Sequence, residues 1–333
     1  MSTNGMTVAV TGPTGTFGLS LMPLLEAEGR ISRIVGIARR PFDPAEHGWT
    51  KMSYVRGDVR EPEALERAFS GSDVVVHLAF MITGAAREGT IRAINVDGTL
   101  NAFRAAASAG VGRFVYASSV AAYGFHRDNP VGMTEEWPAR PDRRLFYAQE
   151  KAEIEALLRE EQGAHPEVDV YILRPPVVVG PHAVGAKQVL PDRLEPIGRR
   201  LAALVRSSPV PLPVPAPRLP MQFIHEEDVA RALLLCILGR GPAGTYNVTG
   251  DGVVTADEVA RELGLAPLPL PAAVAQTAAR AVARIPFAPP FAEWAEAASH
   301  PAIIDASKAK RELGWSPRHT SLEALREALR SAT

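Results

Sequence analysis

The chain has 333 residues, 46% hydrophobic and 22% charged, an ordinary globular composition with length enough for a large core in one or two domains. Lysine plus arginine number 36 against 37 acids, a net charge of −1, which gives no electrostatic case for nucleic acid or an anionic membrane. No apolar run approaches the ~18 residues of a membrane span (Val74 to Ile82 is among the longest), Met1 to Met6 has neither a basic region nor an apolar signal segment, and the single cysteine, Cys236, excludes an intrachain disulfide, so we read a cytoplasmic protein.

Thr7-Val-Ala-Val-Thr11 is a β-branched run and predicts a strand. Gly12-Pro-Thr14-Gly15-Thr16-Phe17-Gly18 follows at once, then a helical pattern through Glu28. Glycines at this spacing let the chain turn sharply, let backbone approach a pyrophosphate, and let helix and strand pack closely. The helix that follows aims its free N–H groups at phosphate. A tight turn with no ligand is the alternative, but the position directly after the first strand favours the phosphate site.

Arg33 to Ala38 predicts the second strand. About 20 residues past the glycines, an acid would grip the ribose 2′-hydroxyl of NAD. Arg39 and Arg40 stand there instead. Guanidinium pairs bidentately with a phosphate monoester, which predicts NADP(H); NAD is the alternative if both arginines merely face solvent. Ser53 to Arg56 predicts a third strand, ended by Gly57-Asp58-Val59, where Asp58 either closes on the adenine or forms a turn. Pro62 to Phe69 reads as a short helix. Asp73 to Leu78 is nearly continuous apolar, as a parallel strand buried on both faces requires. Ala79 follows at its carboxyl end, a natural cofactor-lining position, whereas His77 inside the strand reads as a core histidine. Glu88 to Ala109 reads as one long helix carrying Asn95. Arg113 to Ser118 predicts the fifth strand, with Ser119 at its end, and Asp169 to Arg174 the sixth. This alternation predicts an α/β fold with a doubly wound parallel sheet, the Rossmann type.

Between the last two strands lies Tyr147-Ala-Gln-Glu-Lys151, opening a stretch to Glu161 rich in helix-forming Ala, Glu, Leu and Lys. On a helix, Tyr147 and Lys151 share one face. Tyrosine ordinarily titrates near ~10 and lysine near ~10.4. An ammonium beside the phenol favours phenolate and is expected to pull its pKa toward neutrality, which suits general acid–base catalysis. The pentapeptide alone is common, and its bland reading is a surface helix with a solvated lysine.

After Arg174 the texture changes. Prolines number 29, about 9% against a usual ~5%, many of them in this half. Pro209 to Arg218 predicts an extended, stiff segment, either a spacer or a pocket wall. Gln222 to His225 is strand-like, Glu227 to Leu238 is an amphipathic helix with Cys236 as a buried, inert thiol, and Tyr246 to Val248 is a short strand. Thr255 to Gly264 is a helix with Thr255 and Glu258 at the capping-box spacing. Ala272 to Arg284 reads as an alanine-rich cover helix, and Ser307 to Gly314 and Ser321 to Ala332 as the last helices. The expected division is a dinucleotide-binding domain at 1–175 plus 221–250 and a smaller mixed substrate-binding domain at 176–220 plus 251–333.

The motifs together resemble the extended short-chain dehydrogenase/reductases of the NAD-dependent epimerase/dehydratase type, nearly end to end. The resemblance rests on the glycine turn, Gly57-Asp58-Val59, His77-Leu78-Ala79, Asn95-Val-Asp-Gly98-Thr99, Tyr116-Ala-Ser-Ser119, Tyr147-x-x-x-Lys151, Leu173-Arg174-Pro175-Pro176, Phe223-Ile-His-Glu-Glu-Asp228 and Asp305 to Trp315. It implies a catalytic set of Ser119, Tyr147 and Lys151. Tyr147 exchanges the proton, Ser119 hydrogen-bonds the substrate oxygen, and Lys151 lowers the phenol pKa and holds the nicotinamide ribose. It implies a cofactor cleft lined by Gly12, Thr14, Gly15, Thr16, Phe17, Gly18, Arg39, Arg40, Asp58, Val59, Leu78, Ala79, Asn95, Lys151, Pro175 and Val177. Asn95 is expected to support its helix and a water relay, and no metal is expected. A homodimer through a four-helix bundle, built from the helices around Glu88–Ala109 and Tyr147–Glu161, is a further expectation.

Departures from the pattern bear on the substrate. Dehydratase members resemble Ser/Thr followed by Asp-Glu, whereas Ser119 is followed by Val120-Ala121, which transfer no protons. Sugar-nucleotide epimerases place an arginine where this chain has Met221, with Arg218 as a nearby substitute, and a second arginine where it reads Glu293 to Pro301. Two missing cations make a poor host for a pyrophosphate. Phe287, Phe291 and Trp294 either suit a less polar substrate or pack the smaller domain. The expected function is an NADPH-dependent ketoreductase on a small organic or natural-product substrate. The alternatives are a sugar-nucleotide epimerase or 4-ketoreductase and, from another class, a non-catalytic NADP-binding sensor.

Overall fold

The computed structural model describes residues 5–82, 88–143, 145–183, 211–271, 274, 277 and 300–331. Its centre is a seven-stranded parallel sheet. The strands are β1 (Met6–Thr11), β2 (Ile31–Ala38), β3 (Met52–Arg56), β4 (Val74–His77), β5 (Arg113–Ala117), β6 (Asp169–Arg174) and β11 (Gly244–Asn247). They lie in the order β11-β6-β5-β4-β1-β2-β3, so the chain reverses direction of travel between β1 and β4. Ligands bind outside the carboxyl ends of the strands at such a reversal. The Val-rich run of β4 is buried along its whole length, as a sheet covered on both faces demands.

One face is covered by α1 (Thr16–Ala27) and α5 (Glu226–Ile237). The other is covered by α2 (Pro62–Phe69), the helical run from Glu88 to Ser108 and α4 (Phe146–Ala164). Two apolar cores result. The first joins Val8, Val10, Leu21, Leu25, Leu233 and Trp315. The second joins Val75, Phe69, Phe103, Phe114, Ile154 and Leu158. Proline opens α2, where its missing N–H leaves no bond unmade. The expected single helix over 88–109 carries an irregularity. It runs as Glu88–Arg92, a π-turn at Ala93–Asp97, then Gly98–Ser108, and we call the whole α3. The wider turn brings Asn95 inward, and its side chain is fully buried.

Beyond β6 the chain makes short two-stranded pairings. These are β7 (Val177–Val179) with β10 (Phe223–His225), β9 (Pro220–Met221) with β12 (Val254–Thr255), and β8 (Pro213–Ala216) with β13 (Ala266–Pro269). The described part of the proline-rich segment, 211–218, is thus extended, confined to a small pairing as prolines require. Glu258 closes the capping box of α6 (Ala256–Glu262), accepting from the Thr255 N–H at 2.7 Å. The C-terminal helix α7 (Ser321–Ser331) packs on β10 through the Val179, Phe223 and Leu325 cluster. Most of the expected cover helix at 272–284, along with Phe287, Phe291 and Trp294, lies outside the described residues. The two-domain division remains a proposal. Ala306, Leu313 and Trp315, assigned by it to the smaller unit, pack into the first sheet core.

Candidate active site

The glycine turn leaves β1 at Gly12, whose φ of +70° suits only glycine without strain. A Cβ there would meet Ala79 N at 2.9 Å, so the turn lies flush against the end of β4. At Gly18 a Cβ would meet Pro13 O at 2.3 Å, which seats α1 on the strand. At Gly15 it would meet only Gly12 O at 3.4 Å. The protein itself therefore does not require glycine at 15, whereas a close ligand would. Gly15 caps α1 without any side-chain bond, and no acid occupies the first turn, so the positive end of the helix is left for an anion. These features fit a dinucleotide pyrophosphate.

The other expected cofactor contacts surround this turn. Thr14 is half-buried, and Phe17 packs partly buried against the first core. The Thr16 hydroxyl donates to His182 O at 2.9 Å, so its hydrogen is engaged within the protein. Leu78 N and Ala79 N both donate to Thr11 Oγ1 at 3.2 Å, which fixes the end of β4. Arg39 and Arg40 are exposed at the end of β2. Their carbonyls accept from Arg56 and Tyr54, and neither guanidinium forms an ion pair among the described residues. Asp58 forms a turn: it accepts from Arg60 N and from its guanidinium at 2.7 Å. That guanidinium holds the Asp58 carboxyl below its ordinary range, with Arg39 adding a weaker pull. Val59 is buried under Gly98, Pro175 and Pro176 are buried, and Val177 is 47% exposed.

Ser119 follows β5 and caps a short 3₁₀ turn, Val120–Tyr123, its hydroxyl accepting from Ala121 N at 3.2 Å. Tyr147, in the first turn of α4, comes to it: the two hydroxyls are hydrogen-bonded. Lys151 is buried one turn further, its Nζ donating to Ala117 O at 2.7 Å and to the Tyr116 hydroxyl at 3.1 Å. The Phe80 ring lies 3.7 Å from Nζ and meets the Tyr147 ring edge-on at 5.6 Å. Ser119, Tyr147 and Lys151 are thus brought together beside the ends of β4 and β5.

The expectation of a phenol drawn toward neutrality is corrected here. Burial pushes the Tyr147 hydroxyl above its ordinary value, and the Ser119 hydrogen bond only opposes it. Lys151 points to Ala117 and Tyr116, 5.8 Å from the Tyr147 ring centre. Burial brings the ammonium itself down to about 7, against the raising influence of Glu155 and Glu150. His77 is the core histidine expected, held by Thr11 and Thr99 and driven down to about 3 by burial.

Asn95 binds Met81 through both its backbone groups, at 2.7 and 2.9 Å, and donates to Glu150 at 2.7 Å. Both amide hydrogens are engaged in tying the π-turn to the loop after β4 and to α4. Arg218 is 88% exposed and stands 4.0 Å from Asp257, a solvent-side position for the substitute cation. Two neighbours of the catalytic candidates were missed in the sequence. Phe80 lies one residue past the lining Ala79, in a loop where no period points to it, whereas Glu155 lies one helical turn past Lys151, where the four-residue spacing would have found it. Among the described residues no His, Cys, Asp or Glu group could hold a metal, and no helix is long and apolar enough to cross a membrane.

The model of the NAD dependent epimerase/dehydratase family matches residues 8–249. A Sinorhizobium fredii protein of uncharacterized function is 28% identical over 330 residues, 96% of this chain and 77% of its own length. The ceramide reductase of Caulobacter vibrioides is 32% identical over 229 residues, 68% of this chain and 59% of its own. Among solved structures, the Thermotoga maritima UDP-glucose 4-epimerase with UDP-glucose matches with a TM-score of 0.74 at 20% identity, covering 98% of both chains. Bordetella bronchiseptica WbmG in complex with NAD matches at 0.70 and 22% identity, covering 98% of this chain and 94% of that one. At these identities the solved structures speak for the fold.

Proposed function

The chain belongs to the NAD dependent epimerase/dehydratase family, and from that premise we propose that it is an NADPH-dependent ketoreductase acting on a weakly polar organic carbonyl compound. It is an NAD(P)-dependent enzyme of the extended short-chain type. The observation that carries the finer reading is the Ser119–Tyr147 hydroxyl pair with Lys151 one turn behind it, at the carboxyl ends of β4 and β5.

The glycine turn, Ala79, Pro175 and Val177 would hold the dinucleotide, with Arg39 and Arg40 at the adenosine ribose. The bound cofactor supplies hydride. Tyr147 gives its proton to the substrate oxygen in reduction and takes it back in oxidation. A phenol raised above its ordinary value stays protonated at neutral pH, which is the state a proton donor needs. Ser119 hydrogen-bonds the same oxygen as negative charge develops on it. Lys151, one helical turn from the phenol, would hold the nicotinamide ribose. Val120 and Ala121 are buried behind Ser119 and can transfer no proton, which argues against elimination of water.

Three observations support a weakly polar substrate. Met221 stands where a diphosphate-holding arginine would be, Arg218 faces solvent, and Phe80, which meets the Tyr147 ring edge-on, opens the apolar run Phe80-Met81-Ile82. The relative named ceramide reductase points the same way. The alternative, a sugar-nucleotide epimerase or 4-ketoreductase, is favoured by the solved neighbours crystallised with such ligands. Retention of Ser119, Tyr147 and Lys151 argues against a non-catalytic sensor. The deciding experiment follows NADPH absorbance with a panel of long-chain and cyclic ketones and, separately, UDP-sugars. Stoichiometric oxidation of NADPH by a ketone is expected. Interconversion of UDP-sugars with no net cofactor turnover would replace this reading by the epimerase.

A further inference from the structure

Tyr147 and Lys151 begin a stripe along α4 whose next member, again four residues on, is Glu155. Glu155 is wholly buried. Its carboxylate accepts from the Ser118 hydroxyl at 2.6 Å, from Arg174 Nε at 2.9 Å, from a second Arg174 nitrogen, and from Arg159 at 2.9 Å. Ser118 immediately precedes Ser119 at the end of β5. Arg174 immediately precedes Pro175 at the end of β6, and Pro175 O accepts from Val120 N at 2.9 Å, just past Ser119. One side chain therefore touches the helix and both strand ends from which the catalytic candidates project.

We propose that Glu155 is a positioning residue for the reaction: it locks α4, with Tyr147 and Lys151, to the strand ends bearing Ser119 and Pro175, and it supplies negative charge opposite the Lys151 ammonium. The proposal rests on the roles given above to Ser119, Tyr147 and Lys151. Its geometric half follows from the three anchored segments, since displacements of about 1 Å from the reactive arrangement can cost ~100-fold in rate. Its electrostatic half follows from the groups around Lys151. Tyr116 and the Ala117 carbonyl face it from β5, His77 from β4, the Phe80 ring from the following loop, and Tyr147, Glu150 and Glu155 from α4. Glu155 and Glu150 are the anions of that set, and Glu155 opposes the effect of burial on the ammonium more strongly.

The chain has five lysines, so the full-length protein labelled with ¹³Cε-lysine gives a spectrum in which Lys151→Met identifies the Lys151 signal. Glu155→Gln keeps an acceptor for Ser118 and removes the charge, whereas Glu155→Asp keeps the charge and shortens the reach. Wild-type protein is expected to titrate at about 7. E155Q is expected to titrate lower by roughly 0.5–1 pH unit, as loss of a nearby opposite charge dictates, and E155D close to wild type. A wild-type midpoint in folded E155Q, or an equal fall in E155D, overturns the electrostatic half. If E155Q lacks native near-ultraviolet circular dichroism, Glu155→Leu with Arg174→Met removes both charges without leaving either unpaired. Arg174→Met alone is then the reference, because the double variant differs from it by the Glu155 charge: a lower midpoint in the double variant is expected, and an equal one overturns the idea. The titration needs no substrate, so an error in the substrate class leaves it readable. With any ketone that turns over, E155D should lower kcat about tenfold with KM little changed; unchanged kcat would refute the geometric half.

Discussion

Within one turn of α4, burial prevails on two neighbouring titrating groups, raising Tyr147 against the Ser119 hydrogen bond and lowering Lys151 against the charges of Glu155 and Glu150. Replacing Tyr147 by Phe removes the proton donor but leaves its ring against Phe80, so NADPH affinity should stay within about threefold while turnover falls ~100-fold or more. Fluorescence titration and steady-state rates on one preparation check both halves. Lys151 makes a stability prediction. Its folded midpoint, about 7, lies below the unfolded one, so between these values the unfolded chain binds more protons and stability rises with pH. Urea denaturation of wild type and Lys151→Met at pH 7, 8 and 9 should show the wild type gaining on the variant by up to ~1.4 kcal/mol per pH unit. A constant gap would mean that the amine titrates near its ordinary value. At the far end of the cleft, Arg39→Ala with Arg40→Ala should weaken NADPH binding at least tenfold, as losing charge-assisted bonds to a phosphate does, while NADH binding barely changes. Calorimetry with both cofactors decides it.

At the level of elements, the turn into α1 separates glycine for folding from glycine for binding. Gly18→Ala drives a methyl onto the Pro13 carbonyl and should destabilise the protein by ~1–3 kcal/mol. Gly15→Ala meets nothing closer than 3.4 Å, so its melting temperature should match wild type while dinucleotide affinity falls at least tenfold. The two variants should therefore exchange rank between a thermal melt and a binding titration. The strands and this turn were legible because uninterrupted valines and spaced glycines carry their meaning locally. The π-turn in α3 was not legible, because one extra residue in a long helix hardly disturbs its apolar period, and only the inward Asn95 betrays it. The direction of the Tyr147 shift was misread for a related reason: the pentapeptide announces the ammonium, but neither the depth of burial nor the turning of that ammonium toward Ala117 and Tyr116. The outer surface expected to pair two copies of the chain also looks different in three dimensions. Arg92 with Glu153, and Arg104 with Glu161, bridge α3 to α4 there, and none of the large exposed apolar side chains described lies on either helix. Dimerisation through these helices stays an expectation, for sedimentation analysis to test.

For the molecule as a whole, the C-terminal segment is stitched to the nucleotide-binding side. Asp228 at the start of α5 accepts from Arg318 N, His319 N and Arg231, and its carbonyl accepts from the Trp315 indole at 3.0 Å. Trp315 is among the largest wholly buried side chains and shares a core with β1 and α1. Thermal unfolding is therefore expected as one cooperative transition, with matching near- and far-ultraviolet midpoints; two separated steps would show that the smaller region melts alone. The same tryptophan bears on biosynthesis. A ribosome must release some three hundred residues, from the first strand through Trp315, before the oily flank of that strand can be sealed. Until then the nascent chain carries sticky surface through the crowded cell, and its yield should depend on chaperones that shield such intermediates.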